Sequence, residues 1–325
     1  MKRLLTLSMV ACMVTGILTG CQGKENIPKV SVAQIVEHKS LNEIRDSFHE
    51  EMKTLGYKDG ENIQFDFKDA GNQRNTLNSI LSTFAGNQSD VIVAIATPAA
   101  IAAANYSEDI PVVFSAVSDP IQSGLVDDLQ HPNKNITGTS DEIQVDQILS
   151  LALEIDPKMK KLGFIYNSGE ANSVSNLHKA KAFCKEHDLT LIEASGTNIS
   201  EIQSAISVLL NQCDAIFAPN DNTVASSISA LVELANKKKI PVYAGADSMV
   251  SDGCFATVGI NYTELGKETA HMVDQILKGK NVSDIPVKVF KDDLNIYINE
   301  DTLDTLGIQL PENLKQKENV VMMKK

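Results

Sequence analysis

Tryptophan is absent from the 325 residues, aromatic side chains make up only 5%, and cysteine occurs five times. So few cysteines in so long a chain cannot form the framework of a small disulfide-stapled fold. Prolines number 10 and glycines 18, too few for collagen-like or low-complexity material. Positive charge is short as well, with 29 Lys and Arg against 42 Asp and Glu and a net charge of −13. Nucleic-acid binding rests on clustered cations that release counterions from phosphates, so no nucleic-acid partner is expected. Past the N-terminal segment no apolar run approaches the ~20 residues that a bilayer core requires, which excludes a multi-pass membrane protein. What remains is 43% apolar and 22% charged. That is an ordinary globular composition, in a chain long enough for about two domains with cores of their own.

The common signatures of catalysis are missing too. No GxGxxG follows a strand-like run and no GxxxxGK(S/T) occurs, so dinucleotides and nucleoside triphosphates lack their phosphate cradles. His49-Glu50 has no second His at HExxH spacing, GxSxG is absent, and the histidines are scattered. The expectation is a non-enzymatic protein with no cofactor and no metal.

At the start, Lys2 and Arg3 precede an apolar run from Leu4 to Leu18, too short to span comfortably and shaped like a signal peptide over residues 1–20. It ends in Leu18, Thr19, Gly20 and Cys21, a string that resembles the lipobox of bacterial lipoproteins. Cys21 is then the lipidated first residue, 21–28 is a polar linker, and the protein is extracytoplasmic, held to the bacterial cell membrane by its lipid anchor alone. Cys184, Cys213 and Cys254 remain; each sits among apolar residues and reads as a small buried hydrophobe, with one disulfide left open.

From Val30 onward, short β-branched runs alternate with helical patterns such as Leu41, Ile44, Phe48, Met52 and Leu55, the pattern of crossover units on parallel sheets. The pattern repeats. DVIVAIATPAA followed by IPVVFSAVSDP corresponds to DAIFAPNDNTV followed by IPVYAGADSM, with Ile110-Pro111 and Ile240-Pro241 lying 130 residues apart. The fold class is therefore α/β, in two doubly wound halves. Ligands of such sheets bind beyond the carboxyl ends of the strands, and polar or special residues gather there in both halves: Glu37 and His38, Thr97 and Pro98 with Ala99 next, Ser115 to Asp119, Ser168 to Ser173, Asn220 to Thr223, and Asp247.

The strings TPAAIAAA, IPVVFSAVSDP, NITGTSD, PNDNTVASS, GADSMV and VGINYTELG, in this order after the lipobox, resemble the substrate-binding lipoproteins of ABC importers of the tryptophan/tyrosine type. The resemblance runs from about Lys29 to Leu310. It implies a type I periplasmic-binding-protein fold, two lobes joined by a three-stranded hinge. Lobe one is then 29–139 plus 262–283, lobe two 140–261 plus 284–311, and 312–325 a flexible tail. It also implies a monomer that captures an amino acid, aromatic or related, and delivers it to a permease and its ATPase. A receptor of the same fold feeding a signalling system, and a sugar or nucleoside binder, stay open as alternatives.

Within that cleft, a helix opening at Thr97-Pro98 offers free N–H groups, including that of Ala99, and a hydroxyl to an α-carboxylate. Ser115 is a second donor. Across the cleft Asp221 is the expected acceptor for an ammonium group, with Asp247 as the second acid and Asn220 beside it. Ser168, Glu170, Asn172 and Ser173 are expected to seal the site, and Glu37 and His38 to reach it from the first strand, His38 stacking on or hydrogen-bonding a ligand ring. With no Trp, aromatic walls must come from Tyr or Phe, while Tyr166 and Tyr243 lie within strands and read as core.

Overall fold

A computed structural model describes residues 27–132, 134–291 and 294–324. Cys21 and the leader segment lie outside the described residues. In chain order the strands are β1 (Lys29–Gln34), β2 (Gln64–Asp69), β3 (Val91–Ile95), β4 (Val112–Ser115), β5 (Ile136–Ser140), β6 (Lys161–Asn167), β7 (Thr190–Gly196), β8 (Ala215–Ala218), β9 (Val242–Ala244), β10 (Ala256–Gly259), β11 (Lys288–Val289), β12 (Asn295–Asn299) and β13 (Val320–Met323).

They form two sheets of the same pattern, ordered β2-β1-β3-β4-β5-β11 and β7-β6-β8-β9-β10-β12-β13. Every pairing is parallel except β10 with β12. Inner strands are buried on both faces, and VIVAI of β3 is apolar and buried throughout, because helices cover both sides of the sheet. In each half the order reverses beside the first strand, between β1 and β3 and between β6 and β8. Loops diverge at such a point and leave a crevice.

The helix Lys39–Thr54 buries Leu41, Ile44, Phe48 and Met52, one stripe at helical spacing. Against it packs the helix Tyr262–Leu277, and their approach depends on Gly266, where a Cβ would run into Ser47 Oγ and the Ile44 carbonyl. Cys184, Cys213 and Cys254 are buried and free. Burial pushes the Cys184 and Cys213 thiols up to about 11, so neither is a reactive thiolate at neutral pH.

Two features depart from expectation, and a third, β5, is not among the strands read from the sequence. The chain crosses between the sheets after Ser140, after Gly259 and again between Val289 and Asn295; β11 still pairs with β5 of the first sheet, so the third crossing follows Val289 and does not fall at 283/284. The segment 312–325 is not a loose tail: Glu312–Lys315 is helical and β13 pairs in parallel with β12 from Ile296–Val320 to Asn299–Met323. Its apolar VVMM was too short a signal to weigh against the charges around it. Finally, β5 is wholly buried although its sequence is ITGTS. Its hydroxyls find partners inside, Thr137 Oγ1 donating to the Ile285 carbonyl at 2.7 Å and Thr139 Oγ1 lying 3.1 Å from Ser115 Oγ, which removes the desolvation cost that makes such a string look like a loop.

Candidate functional site

The carboxyl ends of both sheets face one small cavity, at the place where ligands of such sheets bind. The first half supplies Ala96 and Thr97 after β3, Ala116 and Ser118 after β4, Asp141 after β5, and His38, Ser40 and Leu41 after β1. The second supplies Asn172, Asn220, Asn222, Ala225 and Met249, and Tyr262 opens the helix that follows β10.

Two alanines hold unusual backbone here. Ala96 has φ 80° and ψ 155°, and Ala116 has φ 56°. Such conformations cost ~1 to 3 kcal/mol each and gather where a chain must turn sharply around a ligand. The turn at Ala96 aims the next residue into the cavity. Thr97 does not cap its own helix: the helix Thr97–Ala103 has Ala96 at the capping position and no side-chain cap. The Thr97 hydroxyl is instead buried, lines the cavity and has no hydrogen-bond partner. Asn172 Oδ1 is in the same situation. A buried polar atom left without a partner costs ~1 to 3 kcal/mol, so both are groups awaiting one.

Asp141 is the carboxylate of the cavity. It accepts from Ser118 Oγ at 3.1 Å, from Asn220 Nδ2 at 2.7 Å and from Tyr262 Oη at 2.8 Å. Burial pushes it up to about 6 against the pull of those three donors. Three side-chain donors and its own main-chain N–H neighbour this carboxylate, and no cation among the described residues pairs with it. Sequence reasoning passed over Asp141, Ser118 and Tyr262 as individual ligands, although all three stand in the quoted strings NITGTSD, IPVVFSAVSDP and VGINYTELG just beyond strand ends. Tyr262 is the aromatic wall that the lack of Trp demanded; Tyr166 and Tyr243 pack with the second core.

Of the residues singled out beforehand, His38, Thr97, Asn172 and Asn220 line the cavity. The others do not. Asp221 lies behind the wall, where its side chain accepts from the N–H groups of Thr223 and Val224 and caps the short helix Asn222–Ala225; it also takes Asn167 N–H and Ser173 Oγ, both at 2.6 Å. Four donors turned inward leave it nothing for a ligand. Glu170 accepts from Asn222 Nδ2 at 2.6 Å and Thr223 Oγ1 at 3.0 Å; burial and the neighbouring Asp221 push it up to about 8 while those donors pull it back. Ser173 is spent on Asp221. Ser115 is fully buried between Thr139 and Thr269. Asp247 accepts the Ser248 N–H at 2.8 Å at the start of its own helix, and burial raises it to about 6. Glu37 is exposed and pairs with Arg45, Ser168 is exposed, and Ala99 is buried within its helix.

The two halves touch directly around the cavity. His38 Nε2 lies 3.3 Å from Asn222 Oδ1, Asn72 Nδ2 donates to Thr223 Oγ1 at 3.1 Å, and Ser175 Oγ donates to Asp119 at 3.2 Å. Ser40 also meets Ser248, and Asn220 Nδ2 reaches Ser118 Oγ at 2.7 Å. Among the described residues no cluster of His, Cys, Asp and Glu is disposed to hold a metal, and no helix is long and apolar enough to cross a membrane.

A cavity of mixed polar and apolar lining between two similar α/β halves suits a solute receptor, and residues 29–321 match the family of ABC transporter substrate binding proteins. The chain belongs to this family. A tyrosine-binding protein of Clostridioides difficile is 37% identical to it over 322 residues, 95% of this chain and 93% of the relative. Among solved structures, the ABC domain from Streptococcus pneumoniae in complex with L-Trp is 34% identical and superposes with a TM-score of 0.86 over 90% of this chain and 99% of that one. The ligand-free, open structure of a Clostridium difficile substrate-binding protein with adhesive properties is 40% identical, covering 92% of this chain and 100% of that one, yet superposes at only 0.68. As a substrate-binding protein the chain captures a small molecule and works outside the cytoplasm; it is not an enzyme.

Proposed function

We propose that this substrate-binding protein captures an aromatic amino acid between its two lobes and hands it to the permease and ATPase of an importer. The observation that carries the reading is the inventory of the cavity: the Asp141 carboxylate and the unpartnered Asn172 Oδ1 are acceptors for an α-ammonium group, and the unpartnered Thr97 hydroxyl, at a helix start with free N–H groups, is the donor for an α-carboxylate. Leu41, Ala225 and Met249 supply apolar surface, and Tyr262 an aromatic ring. That one relative is a tyrosine-binding protein and another was solved with L-Trp supports an aromatic side chain.

Lobe one, in this reading, is the first sheet with the helix Tyr262–Leu277, and lobe two is the second sheet through β13. The better superposition on the L-Trp complex than on the more identical open structure supports closure as a change between lobes, because sequence divergence would have ordered the two scores the other way. Closure follows from contacts that a ligand makes to both lobes at once.

A melting screen against the twenty amino acids tests the reading. A ligand at 100 times its dissociation constant adds about 2.7 kcal/mol of stability, so tyrosine or tryptophan is expected to raise the midpoint clearly and to shrink the radius of gyration in solution scattering. No shift with any aromatic amino acid would overturn it.

The protein is held by lipid at Cys21, a reading that rests on the LTGC string alone. Cys21→Ala is expected to move it from the membrane fraction to a soluble extracytoplasmic pool or to leave it as unprocessed precursor. Continued cleavage with membrane retention would refute the anchor.

A further inference from the structure

We propose that His38 reads the ligand's ring, presenting Nδ1 as a hydrogen-bond acceptor that favours an aromatic amino acid with a ring donor, a phenol hydroxyl or an indole N–H, over one with a bare phenyl ring. The inference rests on the aromatic amino acid reading of the same cavity. Its basis is a chain of hydrogen bonds whose direction is set from the far end. Glu170 Oε2 accepts the main-chain N–H of Asn222 at 3.1 Å and the Asn222 side-chain Nδ2 at 2.6 Å. Its other oxygen accepts Thr223 N–H at 3.2 Å and Thr223 Oγ1 at 3.0 Å. With Nδ2 directed at Glu170, the Asn222 amide turns its oxygen toward His38, and Oδ1 can only accept.

His38 Nε2, 3.3 Å from that oxygen, therefore carries the ring's hydrogen. Burial keeps the imidazole neutral by lowering it to about 4. A neutral imidazole with its proton on Nε2 has a bare lone pair on Nδ1, and no described side chain or main-chain group donates to it. His38 lines the cavity together with the apolar Leu41, Ala225 and Met249. The unpartnered Thr97 Oγ1 and Asn172 Oδ1, with the Asp141 carboxylate, are matched by the carboxylate and ammonium that every amino acid has. The Nδ1 lone pair is thus the acceptor left over for the side chain. A site built to hydrogen-bond a hydroxyl or N–H discriminates strongly against the analogue lacking it, because its own group is then stranded.

The test is calorimetric titration of tyrosine, tryptophan and phenylalanine into the wild type and into His38→Phe, which keeps a flat ring and removes the acceptor. In the wild type tyrosine or tryptophan is expected to bind at least ~10-fold tighter than phenylalanine, and in the variant this ratio is expected to fall toward one. Equal wild-type affinities for all three, or an unchanged ratio in the variant, would overturn this inference alone and leave the aromatic site standing. Binding of none of the three would overturn both. The wild-type ratio decides even where His38→Phe does not fold, and ¹⁵N chemical shifts of His38 supply a ligand-free check: a proton on Nδ1 contradicts the proposal.

Discussion

Asp141→Asn is expected to weaken binding of the aromatic amino acid roughly thirtyfold to several thousandfold. Removing one partner of a buried, hydrogen-bonded charge pair costs ~2 to 5 kcal/mol, and each ~1.4 kcal/mol is a decade in affinity. The amide keeps the size of the carboxyl and can still accept from Ser118, Asn220 or Tyr262, so the loss reports on charge and not on collapse of the wall. The same carboxyl sets a pH dependence. Burial raises it to about 6, and only its ionised form pairs with an ammonium group. Below about pH 6 the dissociation constant is therefore expected to rise, approaching tenfold per pH unit. Asp141→Asn should lose that dependence along with the affinity. Titrations from pH 5 to 8 measure both; a folded Asp141→Asn protein that binds within threefold of wild type at neutral pH would place the ammonium elsewhere, with Asn172 as the next group to remove.

Asp221→Ala is expected to act on stability, lowering the unfolding free energy by ~3 to 5 kcal/mol. The side chain takes Thr223 N–H at 2.9 Å and Val224 N–H at 2.8 Å, besides Asn167 and Ser173. Each buried donor stranded by its removal costs ~1 to 3 kcal/mol. Part of this is offset, since Glu170 no longer sits beside a second carboxylate and ionises more easily. Denaturant titration of the ligand-free protein reads the effect directly. An unchanged midpoint accompanied by collapsed ligand affinity would return Asp221 to the role the sequence suggested for it, an ammonium partner.

These two acids mark the boundary of what a sequence can convey. Both follow a strand in a polar stretch, Asp141 after β5 and Asp221 after β8. Asp221 stood out because its string repeats the place of Thr97-Pro98 in the other half, and that equivalence is genuine. But the equivalent strand end is used differently: in the first half the chain turns through a strained alanine and presents a hydroxyl to the cavity, in the second it caps a helix of four residues. Which way a side chain turns at a strand end depends on one or two backbone angles, and neither periodicity nor residue type encodes them.

The sequence by itself determined the alternation of strands and helices, the duplication of one α/β pattern at an offset of 130 residues, and the places where a ligand could be met, because burial leaves a periodic record and turns and caps use few residue types. Of the residues it pointed to, His38, Thr97, Asn172 and Asn220 line the cavity. Only the tertiary structure decided which polar groups are spent on one another and which remain free, separating Asp141 from Asp221, Thr97 from Ser115 and Asn172 from Ser173. It also decided that β5, rich in hydroxyls, is a core strand and that the charged C-terminal segment closes the second sheet as β13. The physical reason is the same in each case: a hydrogen bond between residues far apart in the chain turns a polar group into interior, and the partner that does so is visible only once the chain has folded.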